Sequence, residues 1–241
     1  IIPAGMEMMD RPAIAAVELF VNAGYDMDTE SILLVESDGT REEVDEEIAH
    51  IEAVLRENGA TRLEVSQSDA ERHRFWAGRK AAFPAVGRVS PDYYCMDGTI
   101  PRKRLGEVLK AIVAMEAKYG LRCANVFHAG DGNLHPLIMF DCNDPDSVLR
   151  AEQFGFEILE LSIAVGGTVT GEHGVGVEKI HQMCQQFDSA TLESFFAVKR
   201  AFDPAGLLNP GKAIPTLTRC AEYGKMHVHG GQLNFPDLPR F

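Results

Sequence analysis

The apolar positions of the chain change period along its length. Between residues 41 and 58, Val44, Ile48, Ile51 and Leu55 recur at steps of four, three and four, and Gly59 follows them. That spacing marks one face of a helix with a glycine stop. Ahead of it, 31–37 is a run of Ile, Leu and Val ending at Asp38-Gly39, which predicts a strand and its turn. Pro12 and Asn22-Ala23-Gly24 bracket a shorter helix. Leu63 and Val65 alternate within 62–67, predicting a strand, and Ser68-Asp69 caps a helix to about residue 82. Pro84 and Pro91 are expected to break the chain. The rhythm then repeats: a strand over 93–99, a helix marked by Leu105, Val108, Leu109 and Ile112 and closed by Gly120, and strands over 123–128 and 134–140. Two β-α-β units with an added strand predict an α+β fold, a ferredoxin-like antiparallel sheet with helices on one face. From residue 145 the pattern is mainly helical. Val148, Phe154, Ile158, Leu161 and Val165 suit one long helix, and a glycine-rich stretch covers 166–176. Two short helices follow near 177–185 and 189–202, and an irregular tail starts at Asp203-Pro204. The expected organisation is an α+β domain over 1–165, then a glycine-rich loop and small helical C-terminal subdomain over 166–241.

Charge narrows the partners. The formal net charge of −13 over 241 residues repels phosphate backbones and anionic headgroups, so neither nucleic acid nor a bilayer surface is expected. No apolar run approaches the ~18–20 residues of a membrane helix. Cys95, Cys123, Cys142, Cys184 and Cys220 are scattered, with no Cys-x-x-Cys pair, which argues against a zinc-thiolate or iron–sulfur site and for reduced thiols in a cytoplasmic protein. The opening Ile1-Ile2-Pro3-Ala4-Gly5-Met6-Glu7-Met8-Met9 is apolar and has no initiator methionine, so it reads as the interior of a longer polypeptide.

The densest chemistry lies in His128-Ala-Gly-Asp-Gly-Asn-Leu-His135. Asp131-Gly132 between two strands predicts a two-residue turn, which sets His128 directly opposite His135 with Asn133 on the same face. Two imidazoles so placed can grip one metal ion, and a third ligand must come from elsewhere. Gly171-Glu172-His173-Gly174 offers Glu172 as that ligand and His173 as a base beside the metal, the flanking glycines letting the two side chains point to different targets. Spacing alone leaves open a flexible loop with an incidental acid and base. Arg79, in Trp76-Ala-Gly-Arg-Lys80, has the fork geometry to clamp a carboxylate, although a core Trp76 with both cations solvated is the simpler reading of those residues alone. The segment 206–213 almost fits a P-loop but ends in Ala213 where a hydroxyl is required, and the glycines of 171–176 miss the dinucleotide spacing.

Taken in order, Trp76 to Lys80, Ser90-Pro-Asp-Tyr-Tyr-Cys-Met-Asp-Gly-Thr-Ile-Pro101, His128 to His135, Gly171 to Gly174, Leu208-Asn-Pro-Gly-Lys212 and the tail Cys220 to His229 resemble the C-terminal half of the flavin-bearing subunits of bacterial glycolate oxidases. These belong to the FAD-linked oxidase family, with the D-lactate and D-2-hydroxyglutarate dehydrogenases. The resemblance implies a substrate-binding cap domain whose N-terminal FAD-binding domain lies outside this chain. It implies metal ligands at His128, His135 and Glu172, a catalytic base at His173, substrate contacts at Arg79 and Asn133, and FAD contacts at Asn209 and Lys212. The implied metal is divalent, zinc first, with iron or manganese as alternatives. Hydroxyglutarate-specific relatives carry a threonine and a lysine where this chain has Phe83 and Cys95, which points to a small monocarboxylate, glycolate or D-lactate. The implied reaction is oxidation of that 2-hydroxy acid, with electrons passing to an iron–sulfur partner subunit in the cytoplasm or peripherally at the inner membrane. The fragment alone is expected to be inactive. A self-contained His-His-Glu metallohydrolase and a non-catalytic, metal-pinned docking module are the rival readings.

Overall fold

The computed structural model describes residues 2–215 and two short antiparallel strands at Val228–His229 and Gln232–Leu233. Cys220 and most of the tail that contributes to the resemblance lie outside the described residues. The chain forms two compact units that interleave in sequence, where the sequence reading drew one boundary near 165. The first comprises Ile1–Cys95 and Arg122–Asp141, the second Met96–Leu121 and Cys142–Phe241.

The first unit contains an open five-stranded antiparallel sheet. Its strands are β1 (Gly5–Asp10), β2 (Ser31–Glu36), β3 (Asp92–Cys95), β4 (Arg122–Phe127) and β5 (Pro136–Phe140), in the spatial order β2-β1-β4-β5-β3. Helices α1 (Arg11–Val21), α2 (Arg41–Glu57) and α3 (Asp69–Val89) complete it. Helix α1 starts where Asp10 accepts a hydrogen bond from the Ala13 amide (3.1 Å) and ends where Asn22 turns left-handed at φ 50°. Thr40 and Glu43 cap α2 reciprocally. The core is the face of the sheet carrying Met9, Ala124, Val126, Leu137 and Met139, covered by Ala13, Ile14 and Val17 of α1 and Ala82, Ala85 and Val86 of α3. The expected α+β antiparallel fold is thus what the sequence forms.

Three local expectations change. Residues 62–67 are irregular, because the sheet places β1 beside β2 and this segment finds no ladder; Val65 is exposed. Helix α3 runs through Pro84 instead of ending before it, held by its fully buried Ala82, Ala85 and Val86. The opening apolar segment, assigned no element from sequence, is β1, which joins β2 to β4.

The second unit contains a 3-10 turn at Arg102–Arg104 and helices α4 (Leu105–Tyr119), α5 (Pro145–Ala164), α6 (Ile180–Gln186) and α7 (Ser189–Phe202). Helix α5 is capped by Asp144 and packs on α4, where Tyr119 stacks on Phe154 at 5.4 Å. Among the described residues no helix is long and apolar enough to cross a membrane. Among the described residues Cys95, Cys123 and Cys142 carry thiols.

Candidate active site

The histidine hairpin forms with a register different from the predicted one. Asn125 pairs with Pro136, the Val126 amide donates to the His135 carbonyl (3.2 Å), and His128 bridges Asn133, donating from its amide to the Asn133 carbonyl (3.0 Å). The connection is therefore Ala129-Gly130-Asp131-Gly132, and His128 faces Asn133 rather than His135. A four-residue loop wins because it can be held at both sides. The Gly130 amide donates to the Met6 carbonyl in β1 (2.9 Å), Asp131 Oδ1 accepts from the Asn133 amide (2.9 Å), and Gly132 takes φ 85°.

The shift is two residues, and side chains alternate with period two, so the face is preserved. His128 and His135 become diagonal neighbours with ring centroids 4.9 Å apart, and one nitrogen of each lies within 4.8 Å of the other's. Asn133 shares that face. It is 5% exposed, and its Oδ1 has no hydrogen-bond partner among the described residues. Phe83 from α3 meets His135 edge-on at 5.8 Å and Tyr93 at 6.1 Å, making an apolar wall beside the imidazole.

Arg79 also reaches this face. Its side chain is only 12% exposed, so the solvated alternative does not hold, whereas Lys80 one residue on is exposed. The guanidinium donates from Nε (3.0 Å), and Nη2 lies at 2.8 Å, both to Glu7 Oε2. The other oxygen, Oε1, is 2.7 Å from His128 Nδ1. Glu7 went unrecognised in the sequence. Only its alternation with Met9, inside a stretch read as a mere apolar start, could have placed it on this face. Helix α3 comes close to the turn after α1 because Gly78 has no side chain; a Cβ there would overlap the Tyr25 ring. Burial raises the Tyr25 phenol to about 12, and its hydroxyl donates to the Phe75 carbonyl.

Glu172 and His173 belong to the second unit. Their loop is wrapped around the fully buried carboxylate of Asp97. Asp97 Oδ2 accepts from the amides of Gly171 (3.1 Å), Glu172 (2.8 Å) and His173 (2.6 Å), and both of its oxygens meet the Thr170 hydroxyl. Lys179, 1% exposed, forms an ion pair with Asp97 Oδ1. Successive amides converging on one anion are a nest, and here the anion is built in. The nest fixes the backbone and leaves the side chains outward. Glu172 and His173 are half exposed, with His173 Nε2 3.6 Å from Glu172 Oε1. Sequence reading missed Asp97 as well, although it stands in the motif from Ser90 to Pro101.

Asn209 and Lys212 are exposed in the second unit, and Lys212 Nζ donates to Asn209 Oδ1 (3.2 Å). Their segment is anchored by Asp203, whose carboxylate accepts from the amides of Leu207 (2.8 Å) and Leu208 (2.9 Å) and pairs with Lys199. The hydrogen bond from Lys199, then those from the amides, hold the Asp203 carboxyl down to about 2.

Comparison with known proteins gives this geometry a lineage. The family model for FAD linked oxidases, C-terminal domain, matches residues 1–213. The chain belongs to this family. Glycolate oxidase subunit GlcD of Escherichia coli (strain K12) is 60% identical over 241 residues, which is 100% of this chain and 48% of that protein. GlcD of Bacillus subtilis (strain 168) is 36% identical over 88% of the chain and 45% of that protein, and a probable mitochondrial D-lactate dehydrogenase of Danio rerio is 30% identical over 88% and 42%. The chain thus spans about half the length of the curated relatives it matches. Among solved structures, 4-ethylphenol oxidase from Gulosibacter chungangensis superposes with a TM-score of 0.64 at 17% identity, over 89% of this chain and 48% of that one. p-Cresol methylhydroxylase superposes at 0.56 and 15%, over 89% and 47%. At such identities the likeness is one of fold. In this FAD-linked oxidase C-terminal domain the donor chemistry suits a divalent metal: two imidazoles on one face beside a buried amide oxygen that has no hydrogen-bond partner among the described residues.

Proposed function

We propose that the chain is the substrate- and metal-binding half of a flavin-dependent 2-hydroxy-acid oxidoreductase, oxidising glycolate to glyoxylate or, second, D-lactate to pyruvate. The observation that carries this reading is the 60% identity to a glycolate oxidase subunit along the whole chain. The pairing of His128 and His135 on the face that Arg79 reaches supports it.

In this reading His128, His135 and Glu172 hold the metal, and the FAD is held mainly by the half of the protein outside this chain, with Asn209 and Lys212 as contacts. When bound, the two groups supply Lewis-acid polarisation of the substrate hydroxyl and a hydride acceptor. Arg79 binds the substrate carboxylate: Glu7 engages the Nε–Nη2 edge of the fork, which leaves the Nη1 side to a second anion. Asn133 orients the substrate beside the imidazoles. His173 accepts the hydroxyl proton as the α-hydrogen departs as hydride, leaving the carbonyl product. Phe83 and Cys95 give the site no cation for a second carboxylate, which favours a small monocarboxylate. An iron–sulfur partner subunit takes the electrons onward, in the cytoplasm or at the inner membrane.

The deciding experiment mixes the full-length flavoprotein anaerobically with glycolate, D-lactate or D-2-hydroxyglutarate and follows flavin bleaching. Fast reduction by glycolate or D-lactate, and slow reduction by D-2-hydroxyglutarate, is expected. A flavin that none of them reduces, or an isolated chain that catalyses metal-dependent hydrolysis, would overturn the reading. An assembly whose activity survives His173→Ala intact would favour a docking role.

A further inference from the structure

We infer that Glu7 is a positioning residue that sets the His128 imidazole and the Arg79 guanidinium together, so that metal and substrate carboxylate are bound in one fixed relation. This rests on the reading of His128 as a metal ligand and Arg79 as the carboxylate clamp.

The placement follows from strand register. Met9 pairs with Val126 and Met8 with Phe127. One further step of that antiparallel register sets Glu7 across from His128, on the same face, where opposed side chains touch. The loop between the histidines is tied to the same strand by the bond from Gly130 to Met6. Glu7 then divides its two oxygens. Oε2 takes the Nε–Nη2 edge of Arg79, and Oε1 takes His128 Nδ1 at 2.7 Å.

A carboxylate oxygen facing Nδ1 at 2.7 Å favours the proton on Nδ1, and in the neutral ring that leaves the lone pair on Nε2. That is the tautomer a metal needs from a histidine whose second nitrogen is held by a carboxylate. The same carboxylate fixes the guanidinium plane, which an arginine on a mobile stem does not do for itself. A purely stabilising role explains the arrangement poorly. Arg79 and Glu7 are 12% and 15% exposed, and pairs withdrawn from water this far gain little net stability over apolar residues of the same size. What the pair adds is direction, and it adds it to two proposed ligand-binding groups at once.

The test uses the full-length flavoprotein with E7Q, which keeps the shape and removes the charge. Zinc affinity is measured by chelator competition, and His128→Ala and His135→Ala serve as references. E7Q is expected to weaken zinc about 10- to 100-fold and to raise KM for glycolate more than it lowers kcat, in excess of any effect that its shift of the thermal transition accounts for. A merely structural Glu7 would shift the transition and leave zinc affinity alone. The second measurement needs no variant: ¹⁵N shifts of the His128 ring in the zinc-free wild-type protein. The expected form is protonated at Nδ1, and a ring protonated at Nε2 instead would overturn the proposal. If His128→Ala loses zinc while E7Q binds it as the wild type does, the Glu7 proposal alone falls. If His128→Ala keeps zinc, the metal reading falls first and carries Glu7 with it.

Discussion

At the scale of single residues, three carboxylates, one in the first unit and two in the second, organise the segments that carry the candidate residues. Glu7 joins Arg79 to His128, Asp97 gathers the amides of the loop bearing Glu172 and His173, and Asp203 gathers those of the loop leading to Asn209. Each has a distinct expected signature. Arg79→Met should raise KM for a 2-hydroxy acid ~10- to 100-fold, the loss of a charge-assisted hydrogen bond worth about 1.5–3 kcal/mol, with steady-state kinetics of the full-length enzyme as the measurement. Asp97→Asn would leave the buried Lys179 ammonium without its counter-charge, which costs about 3–5 kcal/mol in buried pairs. Asp97→Asn with Lys179→Met should recover part of that in denaturant unfolding, while the loop amides still lack their anion. For Asp203 the folded carboxyl lies at about 2, below its unfolded value near ~3.9. Its contribution is therefore complete above pH ~4 and disappears as pH falls toward ~2. Amide exchange at Leu207 and Leu208 should accelerate across that window, and Asp203→Asn should abolish the dependence.

At the scale of elements, backbone approach decides more than side-chain preference does. The chain enters the Glu172 loop through Gly167, whose neighbour Thr168 exchanges both backbone hydrogen bonds with Thr99 (2.8 and 3.1 Å). A Cβ on Gly167 would overlap the Thr99 carbonyl. That contact is backbone, which no rotamer change relieves. Gly167→Ala should therefore lower the melting temperature and disorder the Thr170–His173 turn, whereas Gly174→Ala, with open space around its Cβ position but φ 83°, should cost only the strain of a left-handed alanine. The hairpin teaches the same point. Asp-Gly is a strong turn signal, yet the tie from Gly130 to β1 and the Asp131 turn select a four-residue loop, and the histidines meet diagonally. Helix α3 passes through Pro84 because its buried alanine face, packed on α1, outweighs one missing hydrogen bond.

At the scale of the whole molecule, the proposed function requires an FAD-binding half, which the proposal places outside this chain. Prolonged chelation of the assembled flavoprotein should abolish substrate-driven flavin bleaching, and zinc or manganese should restore it; bleaching that persists after elemental analysis shows the metal gone would remove the metal from the reaction. Sequence alone determined the helix periods and four of the five strands of the sheet, hence the α+β antiparallel fold, together with the cap at Ser68 and the stops at Asn22, Gly59 and Gly120. It also determined that His128, Asn133 and His135 share one face, because a register error of two leaves a period-two pattern unchanged. The motifs from Trp76 to Lys212 carried the family. Tertiary structure decided which acids serve those residues. Glu7 lies 121 positions from His128 and Asp97 lies 76 from His173, and no local pattern encodes a partner brought in by strand pairing or by a loop folding back. Periodicity is a property of neighbours along the chain, whereas a hydrogen bond to a buried carboxylate depends on which distant segment the packed core delivers to it.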